Sequence, residues 1–262
     1  MLCCGRTDIG RRRKFNQDSF ICEAFDNGMT LCVVCDGMGG AAGGGLASGL
    51  ACGYFTDSIA DFAASFGKHD TLTRPQEREI KQALCDACSA ANRAVYSRAE
   101  AEPELHGMGT TLVAALHCCG VLFTLNVGDS RMYLIHSGKI SQVTKDHSYV
   151  QYLVDQGKMT PEEAKRSVNR NIITKAVGTE AEIEPDVFVT RIKKSGSASE
   201  YIGILCSDGL TNHVPPEVLC AESGEALDAV SDRALGHVCE KLIDLANDGG
   251  GADNITAVVF TL

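Results

Sequence analysis

Short apolar runs bounded by Gly, Asn or Asp recur along the chain and predict strands over Leu31–Cys35, Thr111–His117, Val121–Val127, Met132–His136, Tyr201–Cys206 and Thr256–Leu262. Between them lie stretches whose apolar residues repeat at helical spacing. Leu46–Phe62 is one. Gln76–Ala99 is the clearest, with Ile80, Leu84, Ala87, Ala91 and Val95 on one stripe. Ala226–Ala246 is a third, with Val230, Leu235, Val238, Leu242 and Leu245 on one side. Many strands and few long helices, not in strict alternation, predict an α+β fold with antiparallel sheets. No linker or repeat divides the chain, so a single domain over residues 1–262 is expected. Asp146–Gly178 departs from the pattern: two short helical signals, Tyr149–Gln156 and Pro161–Arg166, precede a polar SVNRN stretch. So long an excursion between strands reads as a functional flap.

Composition changes this picture in two ways. The 24 Lys and Arg against 34 Asp and Glu leave a net charge of −10, which speaks against nucleic acid or an anionic membrane as partner. Thirteen Cys in 262 residues fall below the density of a disulfide scaffold, and the number is odd. No apolar run follows the basic residues of MLCCGRTDIGRRRKF, so a reduced, cytoplasmic setting is expected. The longest nearly apolar stretch, Leu112–Val127, is broken by His117, Gly120 and Asn126 and reads as two strands rather than a membrane span.

Several catalytic signatures are missing. The chain has no Gly-x-x-x-x-Gly-Lys loop, Gly-x-Ser-x-Gly elbow or His-Glu-x-x-His pair. No Cys is followed six positions later by Arg, and no Asp-x-Asp occurs. The run GMGGAAGGG (Gly37–Gly45) looks like a nucleotide loop, but Asp36 before it would repel a pyrophosphate.

What remains is an aspartate at or near the end of several apolar strands. Asp36 closes LCVVCD, Asp129 follows LFTLNVG, Asp208 follows IGILCS and Asp253 precedes TAVVFTL; Asp18 lies in FNQD. Each alone is an ordinary turn residue. As a set they could converge where sheet ends meet, and converging carboxylates call for a divalent cation. All-oxygen donors suit Mg²⁺ or Mn²⁺ rather than Zn²⁺.

Here the chain resembles the metal-dependent protein phosphatases of type 2C, in particular their small bacterial branch. The motifs run in the family's order: GRTDIGRRRKFNQDSF (Gly5–Phe20), VCDGMGG (Val34–Gly40), GMGTTLVAAL (Gly107–Leu116), NVGDSRMYLI (Asn126–Ile135), TKDHSYV (Thr144–Val150), NIITKAVGT (Asn171–Thr179), ILCSDGL (Ile204–Leu210) and GGADNITAVVF (Gly250–Phe260). The resemblance implies an αββα sandwich of two antiparallel sheets flanked by helices. It implies hydrolysis of phosphoserine and phosphothreonine in proteins by direct attack of a hydroxide bridging two manganese or magnesium ions. Asp36 would bridge the ions, the Gly37 carbonyl would bind the second, and Asp208 and Asp253 would complete the first. Asp18 would reach the second ion through water, Asp129 with Asp208 would form a weaker third site, and Arg13 would hold the substrate phosphate. Phosphorylated proteins, cognate Ser/Thr kinases among them, are the expected partners of a monomer.

Where many eukaryotic members have His, this chain has Met38, so no side-chain acid is assigned there. His147 is either a pH-sensitive group or a hydrogen-bonded structural histidine. Arg11, Arg12 and Lys14 are either a steering patch or a solvated charge run. Cys85 and Cys88 read as one helical face; Cys35 and Cys206 flank proposed ligands and would be open to oxidation only if exposed. Two alternatives stand beside the enzyme: a silent phosphoprotein-binding pseudophosphatase, and a phosphatase dedicated to one regulatory protein.

Overall fold

The computed structural model describes residues 1–193, 200–224 and 231–262, the side chains of 41 and 42 aside. Its strands are β1 (Cys3–Asp8), β2 (Asp18–Ala24), β3 (Thr30–Met38), β4 (Gly109–Thr110), β5 (Leu112–Cys118), β6 (Val121–Val127), β7 (Arg131–His136), β8 (Lys139–Gln142), β9 (Asp186–Arg191), β10 (Tyr201–Cys206) and β11 (Ile255–Thr261). Its helices are α1 (Gly40–Phe66), α2 (Arg74–Ala101), α3 (Tyr149–Asp155), α4 (Pro161–Arg166), α5 (Asp208–Thr211), α6 (Pro216–Gly224) and α7 (Asp232–Asp248). One sheet runs β1-β11-β10-β7-β8; the other runs β2-β3-β5-β6-β9, with β4 on β3. Every named strand pair is antiparallel.

Strand alternation builds four layers. On β3, Leu31, Val33 and Cys35 pack with β5, β6 and helices α1 and α2. The intervening Cys32 and Val34 point the other way, to Met132, Leu205, Val258 and Phe260 of the opposite sheet. That sheet's other face, with Ile202, Ile204, Ala257 and Val259, packs on Leu235, Val238 and Leu242 of α7. A central strand buried on both faces needs apolar residues at every position, which is why these runs lack polar alternation. The order helix, sheet, sheet, helix is the expected sandwich.

The predicted strands all form, with ends shifted by a few residues. Helix α2 starts where Thr73 and Gln76 close a reciprocal cap, and its buried stripe includes Ile80, Leu84, Ala87, Ala91 and Val95. The predicted helix Ala226–Ala246 is observed from Asp232; residues 226–230 lie outside the described ones. Sequence periodicity missed β1, β2, β4, β8 and β9, along with α5 and α6. The segment 146–178 leaves the sandwich after β8, carries α3 and α4, and is pinned back by pairing of Ser148 with Ile173 and of Thr110 with Val177.

Candidate metal centre and phosphatase site

The expected site residues come from both sheets and meet at one end of the sandwich. Asp18 opens β2 directly opposite Asp36 on β3. Asp208 begins α5 straight after β10, and Asp253 sits in the turn before β11. Asp129 lies on the connection from β6 to β7, where the chain crosses between sheets. Arg13, Asp36, Gly37, Asp129, Asp208 and Asp253 line one cavity of about 570 Å³, with Met38, Phe15, Asn171 and Ile173 also on its wall. Asp18, opposite Asp36, is buried and is not part of the lining.

Backbone and side-chain bonds fix each donor. The Asp36 N–H donates to Thr111 Oγ1 (2.9 Å), and its carbonyl accepts from the Thr111 N–H and Thr110 Oγ1 (both 2.9 Å). Gly37 packs so closely on the first turn of α1 that a Cβ there would sit 2.0 Å from the Gly44 carbonyl oxygen. The glycine run is therefore a packing device that brings α1 against the site strand, not a nucleotide loop. Ser207 Oγ and Thr256 Oγ1 both donate to Asp18 Oδ2, at 2.8 and 2.6 Å.

The electrostatics are those of crowded carboxylates. Burial, then the charges of Asp18, Asp208, Asp129 and Asp253, push Asp36 well above the usual carboxylate range. Burial raises Asp18 to about 6, and burial followed by Asp208 and Asp146 raises Asp129 to about 7. Asp208 is raised by burial and by Asp253. Asp36 stands opposite Asp18 on the strand pair and shares the cavity lining with Asp208. Among the described residues, no three of these carboxylates bring one oxygen each within 4.8 Å of one another, so the set is a string of donors centred on Asp36.

A divalent cation fits this donor set. Asp18 Oδ1 and Asp208 Oδ1 are buried without a hydrogen-bond partner, a costly state for acceptor-only groups unless a cation faces them. The donors are hard oxygens, as Mg²⁺ or Mn²⁺ requires.

Arg13 reaches the cavity but is already engaged: its Nη2 donates to Asp253 Oδ2 at 2.6 Å. Sequence reasoning missed the residue that holds this loop in place. Asn254 donates through Nδ2 to the carbonyls of Ile9 and Phe15 (3.0 Å each) and accepts at Oδ1 from the Gln17 N–H (2.9 Å). The available signal was an Asn beside the last aspartate at the mouth of a strand. His147 is structural: its Nδ1 accepts from the Gly128 N–H (3.1 Å), its Nε2 faces Asp186, and burial holds its pKa down. Cys35 and Cys206 are fully buried, and burial pushes both thiols up, which removes them as oxidation targets. Cys85 and Cys88 both lie on α2, with Cys88 in the core.

Comparison with known proteins agrees with this arrangement. The family model described as Protein phosphatase 2C matches residues 4–234. The chain is 37% identical over 255 residues to the serine/threonine phosphatase stp of Listeria monocytogenes, covering 97% of this chain and 93% of that one. It is 36% identical over 254 residues to the serine/threonine protein phosphatase PstP of Mycobacterium tuberculosis, covering 97% of this chain and 43% of that protein. Among solved structures, the serine/threonine phosphatase of S. agalactiae superposes with a TM-score of 0.80 at 30% identity, covering 100% of this chain and 99% of that one. The catalytic domain of PstP in complex with two manganese ions superposes with a TM-score of 0.76 at 35% identity, covering 98% of this chain and 96% of that one. No helix among the described residues is long and apolar enough to cross a membrane. With its sandwich, its convergent carboxylates and near full-length relatives in agreement, the chain belongs to the protein phosphatase 2C family, as a protein serine/threonine phosphatase.

Proposed function

We propose that the cleft holds two divalent ions, manganese or magnesium, and hydrolyses phosphoserine and phosphothreonine in phosphorylated proteins, Ser/Thr kinases among them. In this reading Asp36, Asp208 and Asp253 would hold one ion, and Asp36, the Gly37 carbonyl and Asp18 would hold the other. Asp129 with Asp208 offers a weaker third position. When bound, the ions neutralise phosphoryl charge and acidify water enough for it to attack phosphorus directly at neutral pH. The rest falls to the chain. Arg13 turns from Asp253 to grip the phosphoryl oxygens, for which a planar guanidinium is suited. Ser207 and Thr256 hold Asp18 still, and Asn254 holds the loop that carries Arg13. Met38 on the cavity wall supplies no proton, so the leaving hydroxyl takes its proton from water.

The observation that carries this reading is the pair of buried, partnerless oxygens on Asp18 and Asp208 within a five-carboxylate cluster. The experiment is hydrolysis of a phosphothreonine peptide with Mn²⁺, with Mg²⁺ and with EDTA, beside Asp208→Asn. Turnover should need the metal and fall by at least ~100-fold in the variant, more than is typical for loss of an outer-shell partner. Turnover that persists in EDTA, or in the variant, overturns the reading.

A further inference from the structure

A second cluster of metal-ligating side chains lies away from the carboxylates. Cys22 on β2 and Cys32 on β3 are directly opposed across the strand pair, and Cys3 comes from β1 of the other sheet. Their sulfur atoms all lie within 4.8 Å of one another. β1 and β2 are each the edge strand of their sheet, so the three thiols sit where the two edges face each other. Cys32 is fully buried, while Cys3 and Cys22 are half-buried and leave a way in from solvent. Cys22 and Cys32 stand four residues along their strands from Asp18 and Asp36, about 13 Å at the usual rise. The same pair of strands thus carries a hard-oxygen centre at one end and a soft-sulfur cluster farther along.

We infer that Cys3, Cys22 and Cys32 form a binding site for a thiophilic d¹⁰ cation, Zn²⁺, that clamps the two sheets together at their edge. The fit is geometric and chemical. Tetrahedral Zn–S bonds of about 2.3 Å put sulfurs about 3.8 Å apart, so the thiols need draw in by no more than about 1 Å. Three protein ligands leave a fourth position for water on the half-exposed side. Sulfur donors select such an ion over the Mg²⁺ or Mn²⁺ suited to carboxylates. The thiols perturb one another: the neighbouring Cys22 and Cys32 hold the Cys3 pKa down, Cys3 pushes Cys22 up, and burial pushes Cys32 up. As each metal–sulfur bond forms, any proton on that sulfur goes to solvent.

The test uses the full chain, reduced, stripped with EDTA and titrated with Co²⁺ without oxygen. Thiolate–cobalt charge-transfer absorption reports sulfur ligation and is silent for Co²⁺ held by carboxylates. One equivalent should develop the band, and Zn²⁺ should abolish it. Cys3→Ser and Cys22→Ser, both at half-buried positions, should each remove most of it while keeping the wild-type circular dichroism. Cys85→Ser should leave it intact. Absence of the band in reduced wild-type protein, or its survival in both variants, overturns the site. So does recovery of two of the three cysteines as a disulfide that reduction opens without any gain in Co²⁺ binding.

Discussion

At the scale of single residues, the acidic cluster makes the metal-free protein sensitive to pH in an unusual direction. Asp18 and Asp129 titrate at about 6 and 7 in the fold, and Asp36 and Asp208 are also raised. In the unfolded chain an aspartate titrates near ~3.9. Between those values the folded state binds more protons, so stability is greatest below the unfolded pKa and is lost as pH rises through the folded values. Without metal, the melting temperature should fall from about pH 5 to about pH 7.5, and added Mn²⁺ should raise it more at the higher pH. Asp208→Asn should flatten the slope. A metal-free melting temperature that climbs over this range would show that other groups dominate. Asn254→Ala has a different signature. It leaves the Ile9 and Phe15 carbonyls without that donor and should lower stability by about 1–3 kcal/mol, read by urea melts. It should also lower kcat/KM on a phosphopeptide, because the loop carrying Arg13 loses its anchor.

Among the elements, the strands that escaped sequence periodicity are instructive. Apart from the two-residue β4, they are β1, β8, β2 and β9, the four edge strands of the two sheets. An edge strand packs on fewer neighbours and carries charged residues, as in β8 with its largely exposed KISQ, so its apolar signal is weak. The central strands, buried on both faces, were legible as continuous apolar runs. The flap was legible as an interruption. Its role belongs to this scale too: Asn171 and Ile173 reach the cavity wall, near the exposed ring of Phe15, while Val168 and Ile172 offer apolar surface to solvent. A polypeptide substrate would extend beyond the cavity onto Val168 and Ile172; a small aryl phosphate would occupy the cavity alone. Replacing residues 149–172 by a short Gly-Ser link between the paired Ser148 and Ile173 should change relative rates among phosphopeptides several-fold and leave aryl phosphate hydrolysis close to wild type. Equal loss on both substrates would assign the flap to folding of the site instead.

For the molecule as a whole, the distance between the sheets is set by how closely side chains interleave in the central layer. Gly203 on β10 lies opposite Phe260 on β11, and the ring covers it so tightly that a Cβ would fall 2.1 Å from the ring edge. Gly203→Ala should therefore cost about 1–3 kcal/mol by overpacking, measured as a lowered urea midpoint. Because the site is assembled across this layer, with Asp18 and Asp36 from one sheet and Asp208 and Asp253 from the other, the same substitution should weaken Mn²⁺ binding. An unaffected metal affinity would show that the sheet ends are positioned by their own loops.

Local pattern and motif order were enough to fix the central strands and the two long helices over the second sheet, and to pick out the aspartates at strand ends. They could not show that Arg13 pairs with Asp253, that Asn254 pins the loop, or that His147 is a clasp between Gly128 and Asp186. Nor did they relate Cys3, Cys22 and Cys32 to one another. These depend on which residues far apart in the chain come within about 3–5 Å, a property of how two sheets meet. Register and edge order bring Cys3 to Cys22, and Asp18 to Asp208, across separations that no local periodicity encodes.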